Sequence, residues 1–295
     1  MLKMTILKKY FSNFSHAFEA GIINLLLSSL KILPYDYRIF IGSRVFRLVI
    51  SPLLGNKKRI ENNLNLVFPN LPDSKRKELI KNCLENIGMT TFELLFPNDF
   101  KLSGQKARVL GPGADIIRKA KAKSQPVILV SGHFGNYDVV RANLISKGYE
   151  LGALYRPMSN PYFNSTYLSN ISRMVCLFPR GSSGMSEMIK YLRSGKFIAL
   201  LIDQHMANGE PLTFFGETAY TATSAAKMAI KYHALLVPFF VIRNDKKSSF
   251  NLYLEMPIKK SNPTTMTQDF NDRLERRIKD NPDQWLWTHK RWKSR

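Results

Sequence analysis

The sequence predicts an α/β fold: a mixed central sheet flanked by helices, preceded by an N-terminal amphipathic helix. Three observations carry that expectation. From residue 126 onward, short apolar runs alternate with segments of helical periodicity, as in chains that wrap helices around a sheet. Before them, residues 56–100 read as helical. At the front, residues 14–33 place Phe14, Phe18, Ile22, Leu25, Leu26, Leu30 and Leu33 on one helical stripe, opposite His16, Asn24, Ser28 and Lys31.

The N-terminal helix is too polar to be read as a spanning segment. Such a segment wants about 20 apolar residues, and Glu19, Asn24 and basic residues on both flanks interrupt this one. A cleavable signal peptide would need a cleaner apolar core and a small-residue cleavage site. Residues 1–60 carry ten Lys or Arg against Glu19 and Asp36. An apolar stripe within a basic segment suits a helix lying on an anionic membrane surface; the competing reading is a helix packed on its own domain. Residues 1–50 are therefore expected to form a membrane-associating element and 51–295 one catalytic domain.

Next, a helix beginning near Lys57-Lys58-Arg59-Ile60 breaks at Pro69-Asn70-Leu71-Pro72. A second runs from Ser74 to about Leu95, with Asp73 or Ser74 as candidate cap. Strands are expected at 126–131, 151–156, 175–178, 197–202, 235–242 and 250–255. Helices are expected at 136–147, 161–172, 184–194, 221–232 and 266–280.

With 295 residues, 44% of them hydrophobic and 12% aromatic, the chain can bury a substantial core and is not a disordered protein. Its charge is unusual: 44 Lys and Arg face 22 Asp and Glu, a net +22. Such a surface attracts polyanions, whether nucleic acid, anionic lipid headgroups or an acidic protein. Cys83 and Cys176 provide neither a disulfide framework nor a metal cluster. No phosphate-binding glycine loop, dinucleotide fingerprint, serine elbow or zinc spacing occurs.

Chemistry concentrates in Ser131-Gly132-His133-Phe134-Gly135-Asn136-Tyr137-Asp138. An apolar strand-like run precedes it and a helical pattern follows. His133 thus sits at a strand-to-helix turn, with Asp138 in the first helical turn. A carboxylate that fixes the imidazole tautomer makes histidine a competent general base. His205 and Glu210 share the spacing, but Pro211 and a loop-like Leu-Thr-Phe-Phe-Gly follow, leaving no helix to hold the carboxylate. Context therefore favours His133.

In order along the chain, further blocks accompany this turn: Arg59-Ile-Glu-Asn-Asn-Leu-Asn-Leu-Val-Phe-Pro69, Gly88 and Glu93, Tyr155-Arg156-Pro157 with Asn160, Pro179-Arg180-Gly181, and Asp203-Gln204. Phe214-Phe215-Gly216, Thr221-Ala222-Thr223, Val237-Pro238 and Trp285-Leu-Trp287-Thr-His-Lys-Arg-Trp-Lys293 complete them. Together they resemble the bacterial lipid A biosynthesis acyltransferase family, within the wider lysophospholipid acyltransferase superfamily. One departure is visible: the family usually carries Glu where this chain has Asp138.

The resemblance implies transfer of a fatty acyl chain from a thioester, usually on acyl carrier protein, to a hydroxyl of a phosphorylated glycolipid. It needs no cofactor and no metal. His133 would act as the base and Asp138 as its orienting carboxylate. Backbone N–H groups near Gly135 and Asn136 are candidate oxyanion donors. Arg156, Arg180 and the tail basics Lys290, Arg291 and Lys293 are candidate contacts for acidic substrate groups. Asp203 is expected to orient one of the arginines or to cap a helix. Trp285, Trp287 and Trp292 are expected to pack near the acceptor site, against the alternatives of base stacking and a membrane interface.

The implied location is the cytoplasmic face of the inner membrane, with an anionic membrane surface as partner and no nucleic acid. Two other readings stay open: acylation of another glycolipid, and a non-catalytic basic protein that binds membrane or nucleic acid.

Overall fold

The computed structural model describes residues 21, 24–157, 160–162, 164–165, 168, 175–244 and 248–293. Helix α1 (Tyr35–Val45) continues through a π-helical stretch, Phe46–Ile50, and a short turn, Ser51–Leu53. Helices α2 (Asn56–Val67) and α3 (Asp73–Leu95) follow, separated by the expected proline break. Pro72 occupies the N-cap of α3, and Asp73 in the first turn turns its carboxylate to Arg76, so neither Asp73 nor Ser74 caps the helix. Helix α4 (Pro97–Gln105) leads into the sheet region.

That region contains β1 (Arg108–Leu110), α5 (Gly113–Ala122), β2 (Val127–Ser131), α6 (Val139–Ser146), β3 (Leu151–Tyr155), β4 (Cys176–Pro179), α7 (Ser182–Arg193) and β5 (Phe197–Leu201). It continues with β6 (Glu210–Phe214), β7 (Glu217–Thr221), α8 (Ser224–Lys231), β8 (Leu235–Arg243), β9 (Phe250–Leu254) and α9 (Pro263–Asp280). Seven strands form one sheet in the order β1-β9-β8-β2-β5-β3-β4, with every neighbouring pair parallel except β8 and β9. The mixed α/β sheet is thus as expected.

The strands form where their sequence must be buried on both faces. In β2, Ile128 and Val130 enter one core with Leu192 of α7 and Phe270 of α9. Val127 and Leu129 enter the other with Ile117 of α5 and Val139 and Leu144 of α6. A strand covered on both sides reads as an unbroken apolar run, and each such side chain stabilises the fold by roughly 1.5–3 kcal/mol.

Two elements escape that signature. β1 is only three residues long. The β6–β7 hairpin occupies the segment that reads as a loop. Pro211 is tolerated because the ribbon has only two strands, and Phe215 and Gly216, with φ of 55° and 78°, close its tight turn.

The first part of the helix expected at 14–33, residues 14–20, lies outside the described residues, as does most of that at 161–172. Residues 24–30 are helical. There Leu27 and Leu30 pack against Ile39, Met89, Phe92 and Phe96, while Leu25 and Leu26 remain exposed. Among the described residues no single helix is long and apolar enough to cross a membrane.

Topology sets the site. From β2 the chain passes through α6 to β3, skipping the place that β5 fills. From β5 it passes through the hairpin and α8 to β8, on the opposite side of β2. The two connections diverge at the carboxyl ends of β2 and β5, and such a divergence opens a crevice at the sheet edge.

Candidate active site

Strand register brings the central pair of side chains together. Ser131 of β2 stands beside Leu201 of β5, and Ile202 N–H continues the ladder to Ser131 O at 3.0 Å. One step further, His133 and Asp203 meet. Asp203 Oδ1 lies 2.8 Å from His133 Nδ1, and Oδ2 receives His133 N–H at 2.8 Å and Trp285 Nε1–H at 2.9 Å. Position 132 must be glycine for this approach, because a Cβ there would sit 2.9 Å from Asp203 Oδ2.

These contacts decide the charges. Burial alone would raise the Asp203 pKa, but the charge of His133, its ring and backbone hydrogen bonds, and the Trp285 donor outweigh that and bring it to about 2. For His133, burial lowers the pKa, and the charge and hydrogen bond of Asp203 more than reverse this, leaving it raised. An ionised carboxylate only accepts hydrogen bonds, so Nδ1 carries the proton and Nε2 is left as the basic nitrogen.

The carboxylate beside the ring is therefore Asp203 and not, as the local spacing suggests, Asp138. Asp138 begins α6, and Arg141, three residues on and hence on the same helical face, holds it through Nε at 2.8 Å and through Nη2. Asp203 in turn neither orients an arginine nor caps a helix. His205 donates its backbone N–H to His289 Nε2 at 2.9 Å and meets Tyr220 edge-on.

The turn after His133 is clamped from behind. Gly135 N–H donates to Gln284 O at 2.7 Å, so it is not free to receive an oxyanion. Its φ is 55°, and a Cβ would fall 1.9 Å from Val241 O. Asn136 is buried; its Nδ2 donates to Glu93 Oε2 at 2.7 Å, and its Oδ1 receives Asp138 N–H at 3.1 Å. Glu93, itself fully buried, binds Arg243 in a two-pronged pair at 2.6 Å on each side. Gly135 and Asn136 thus shape the turn. Arg243 and the Trp285 donor went unread in the sequence, since neither has a local signal; both reach the site through tertiary packing.

Beside His133 opens a cavity of about 480 Å³. Leu154, Leu177, Ala199, Met185 and Met228 give it apolar walls, and Asp138, Arg141, Arg156 and Arg180 also line it. Register again explains the neighbours: Tyr155 pairs with Pro179, which sets exposed Arg156 and Arg180 side by side one residue beyond the strand ends.

The tail behaves differently from its sequence pattern. Trp285 and Trp287 are core residues, 4.8 Å apart and edge-to-face, and Trp292 stacks on Phe214. Arg291 is fully buried and donates to Tyr220 O and Thr221 Oγ1. Burial pushes its pKa down to about 10, with the charge of Asp203 opposing. It is not exposed to meet a phosphate, whereas Lys290 and Lys293 are exposed.

Comparison with known proteins returns one consistent group. The sequence profile of the bacterial lipid A biosynthesis acyltransferases matches residues 8–294. The chain is 25% identical to the lipid A biosynthesis lauroyltransferase of Escherichia coli K12 over 279 residues, 89% of this chain and 87% of the relative. It is 21% identical to the lipid A biosynthesis myristoyltransferase of the same organism over 277 residues, 91% and 85% of the two chains. A lipid A biosynthesis acyltransferase of Haemophilus influenzae is 24% identical over 283 residues, 90% and 88%.

Proposed function

Because the chain belongs to the bacterial lipid A biosynthesis acyltransferase family, and is thus an acyltransferase of lipid A, we propose that it moves a fatty acyl chain from an acyl carrier protein thioester to a hydroxyl of a lipid A precursor, with His133 as general base. The observation that carries this reading is the histidine whose Nδ1 is tied to Asp203, set beside an apolar cavity that Arg156 and Arg180 also line.

A secondary hydroxyl is a poor nucleophile at neutral pH and needs a base within about 3 Å. His133 Nε2 takes the hydroxyl proton as the oxygen attacks the thioester carbonyl carbon, and Asp203 stabilises the imidazolium as it forms. The tetrahedral intermediate then expels the thiolate, which takes the proton back from His133. An ester and a free thiol result. The acyl chain occupies the cavity of about 480 Å³, within the range of ligand pockets. Arg156 and Arg180 meet anionic groups of the substrates, and one of them supplies the cationic donor for the oxyanion, since the Gly135 N–H is already engaged. Asp138, held by Arg141, fixes the start of α6 on the cavity wall.

Residues 1–50 attach the catalytic domain, 51–295, to the cytoplasmic face of the inner membrane. Supporting this are Phe40, Leu48, Val49 and Leu53, all more than half exposed on α1 and the segment after it, and the exposed bases Lys57, Lys58 and Arg59, which suit an anionic surface.

The test is His133→Ala in an acyl-transfer assay with acyl carrier protein thioester and a lipid A precursor. Loss of transfer in a variant that still folds cooperatively is expected; undiminished transfer would remove His133 from the mechanism.

A further inference from the structure

Two cavities meet at His133. The larger is the apolar one described above. The smaller, about 110 Å³, lies between α3 and residues 283–286, and Ile87, Thr90, Thr91 and Leu94 of α3 line it. Among the described residues, only His133 and Tyr137 line both cavities, and their rings stand edge-to-face at 5.3 Å. We propose that the smaller cavity is the acceptor subsite, receiving the hydroxyl-bearing segment of the lipid acceptor, while the donor's acyl chain fills the larger one. This inference rests on acyl transfer by His133.

Three features assign the cavities this way. Transfer brings two carbon chains to one basic nitrogen, because Nδ1 is occupied by Asp203; two cavities that share the His133 ring meet that requirement. Size is the second. At about 110 Å³ against about 480 Å³, the smaller cavity suits a short segment of a substrate whose bulk stays outside, and the larger one a full acyl chain.

Hydrogen-bonding capacity is the third. Thr91 Oγ1–H donates to Ile87 O and Thr90 Oγ1–H to Gly135 O. The side-chain amides of Asn86 and Gln284 donate to Asp283 and to Arg243 O. The hydroxyl protons of Thr90 and Thr91 are thus engaged, and their oxygens keep lone pairs that accept from an alcohol O–H. The larger cavity, with Arg156 and Arg180, has the opposite character. Helix α3 also packs against α1, where exposed Phe40 faces outward, so a lipid acceptor has an apolar approach to the same helix.

The experiment is steady-state kinetics of the full chain carrying Thr91→Trp or Leu94→Trp, with acyl carrier protein thioester as donor and a phosphorylated lipid A precursor bearing 3-hydroxyacyl chains as acceptor. Filling the smaller cavity should raise the KM for acceptor about tenfold or more and leave the KM for donor within about twofold. An unchanged acceptor KM, or a rise in donor KM instead, overturns the assignment. Thr91→Val keeps the volume and decides the matter should both tryptophan variants misfold. Loss of one hydrogen bond predicts about a threefold or greater rise in acceptor KM, and no rise overturns the proposal. Retained activity in His133→Ala would instead count against the base itself, so the two failures are distinguishable.

Discussion

Replacing Asp203 by asparagine tests the core of the mechanism. The carboxylate answers three donors with two oxygens: Nδ1 of His133 on one, His133 N–H and Trp285 Nε1–H on the other. Asparagine has one oxygen and one NH2. Its oxygen is best satisfied by keeping the two donors that cannot change, which turns the NH2 toward Nδ1. The ring nitrogen must then accept, the imidazole proton moves to Nε2, and the atom that should remove the hydroxyl proton already holds one. A wrong tautomer of this kind costs ~10⁴ in kcat, or ~5 kcal/mol at ~1.36 kcal/mol per decade.

Asp138→Asn, by contrast, breaks an ion pair with Arg141 and leaves the tautomer intact. Its cost is expected mainly in stability, with the rate of transfer kept within about tenfold of wild type. Initial rates of acyl transfer for the two variants, with melting temperatures to confirm folding, make the comparison. The reverse order, with Asp138→Asn inactive and Asp203→Asn within about tenfold of wild type, would refute the reasoning.

Other expectations follow from the same contacts. The raised His133 pKa places the acid limb of kcat/KM above the ordinary histidine value of ~6.5; Trp285→Phe, which removes a donor from Asp203 and leaves more charge facing the ring, moves it further up, and an unmoved pH profile would count against the Trp285 contact. A histidine with raised pKa stabilises the fold below ~6.5 and loses that contribution as pH rises through its folded value, while Asp203, at about 2, stabilises it above ~3.9. The stability lost in His133→Ala should therefore be larger at about pH 5.5 than at about pH 9, as read by urea unfolding. Glu93→Gln leaves the buried Arg243 charge without its carboxylate and should cost ~3–5 kcal/mol in the same measurement. Gly135→Ala adds ~1–2 kcal/mol of left-handed backbone strain to the overlap with Val241 O, and should depress the rate of transfer together with the melting temperature.

Parts of this molecule were readable from the sequence for definite reasons. β2 and β5 announce themselves because both faces are buried, and the α2–α3 break follows from its prolines. His133 stands out because a strand, a glycine turn and a helix succeed one another around it. Its partner does not, because Asp203 is 70 residues away and is brought opposite only by the pairing of β2 with β5. Spacing along the chain pointed to Asp138, which the helix delivers to Arg141 instead. The Glu93–Arg243 pair joins residues 150 positions apart and left no local trace. Arg156 and Arg180 were candidates only through the family resemblance, and their adjacency comes from the register of β3 and β4. Arg291 misled for the opposite reason: a basic residue in a basic tail suggests solvent, and only its fully buried place beneath the hairpin says otherwise.

The way residues 284–292 lie across the site has a consequence for how the protein is made. Gln284 O holds Gly135, Leu286 N–H donates to His133 O at 3.0 Å, and Trp285 both bridges to Phe134 and steadies Asp203. Synthesis supplies this segment after every strand of the sheet, and chains fold as they emerge, N-terminal parts first. A nascent polypeptide can therefore pair β2 with β5 on the ribosome and still lack the groups that hold the histidine turn. The histidine turn is completed only when residues 284–292 have been made and have docked across it.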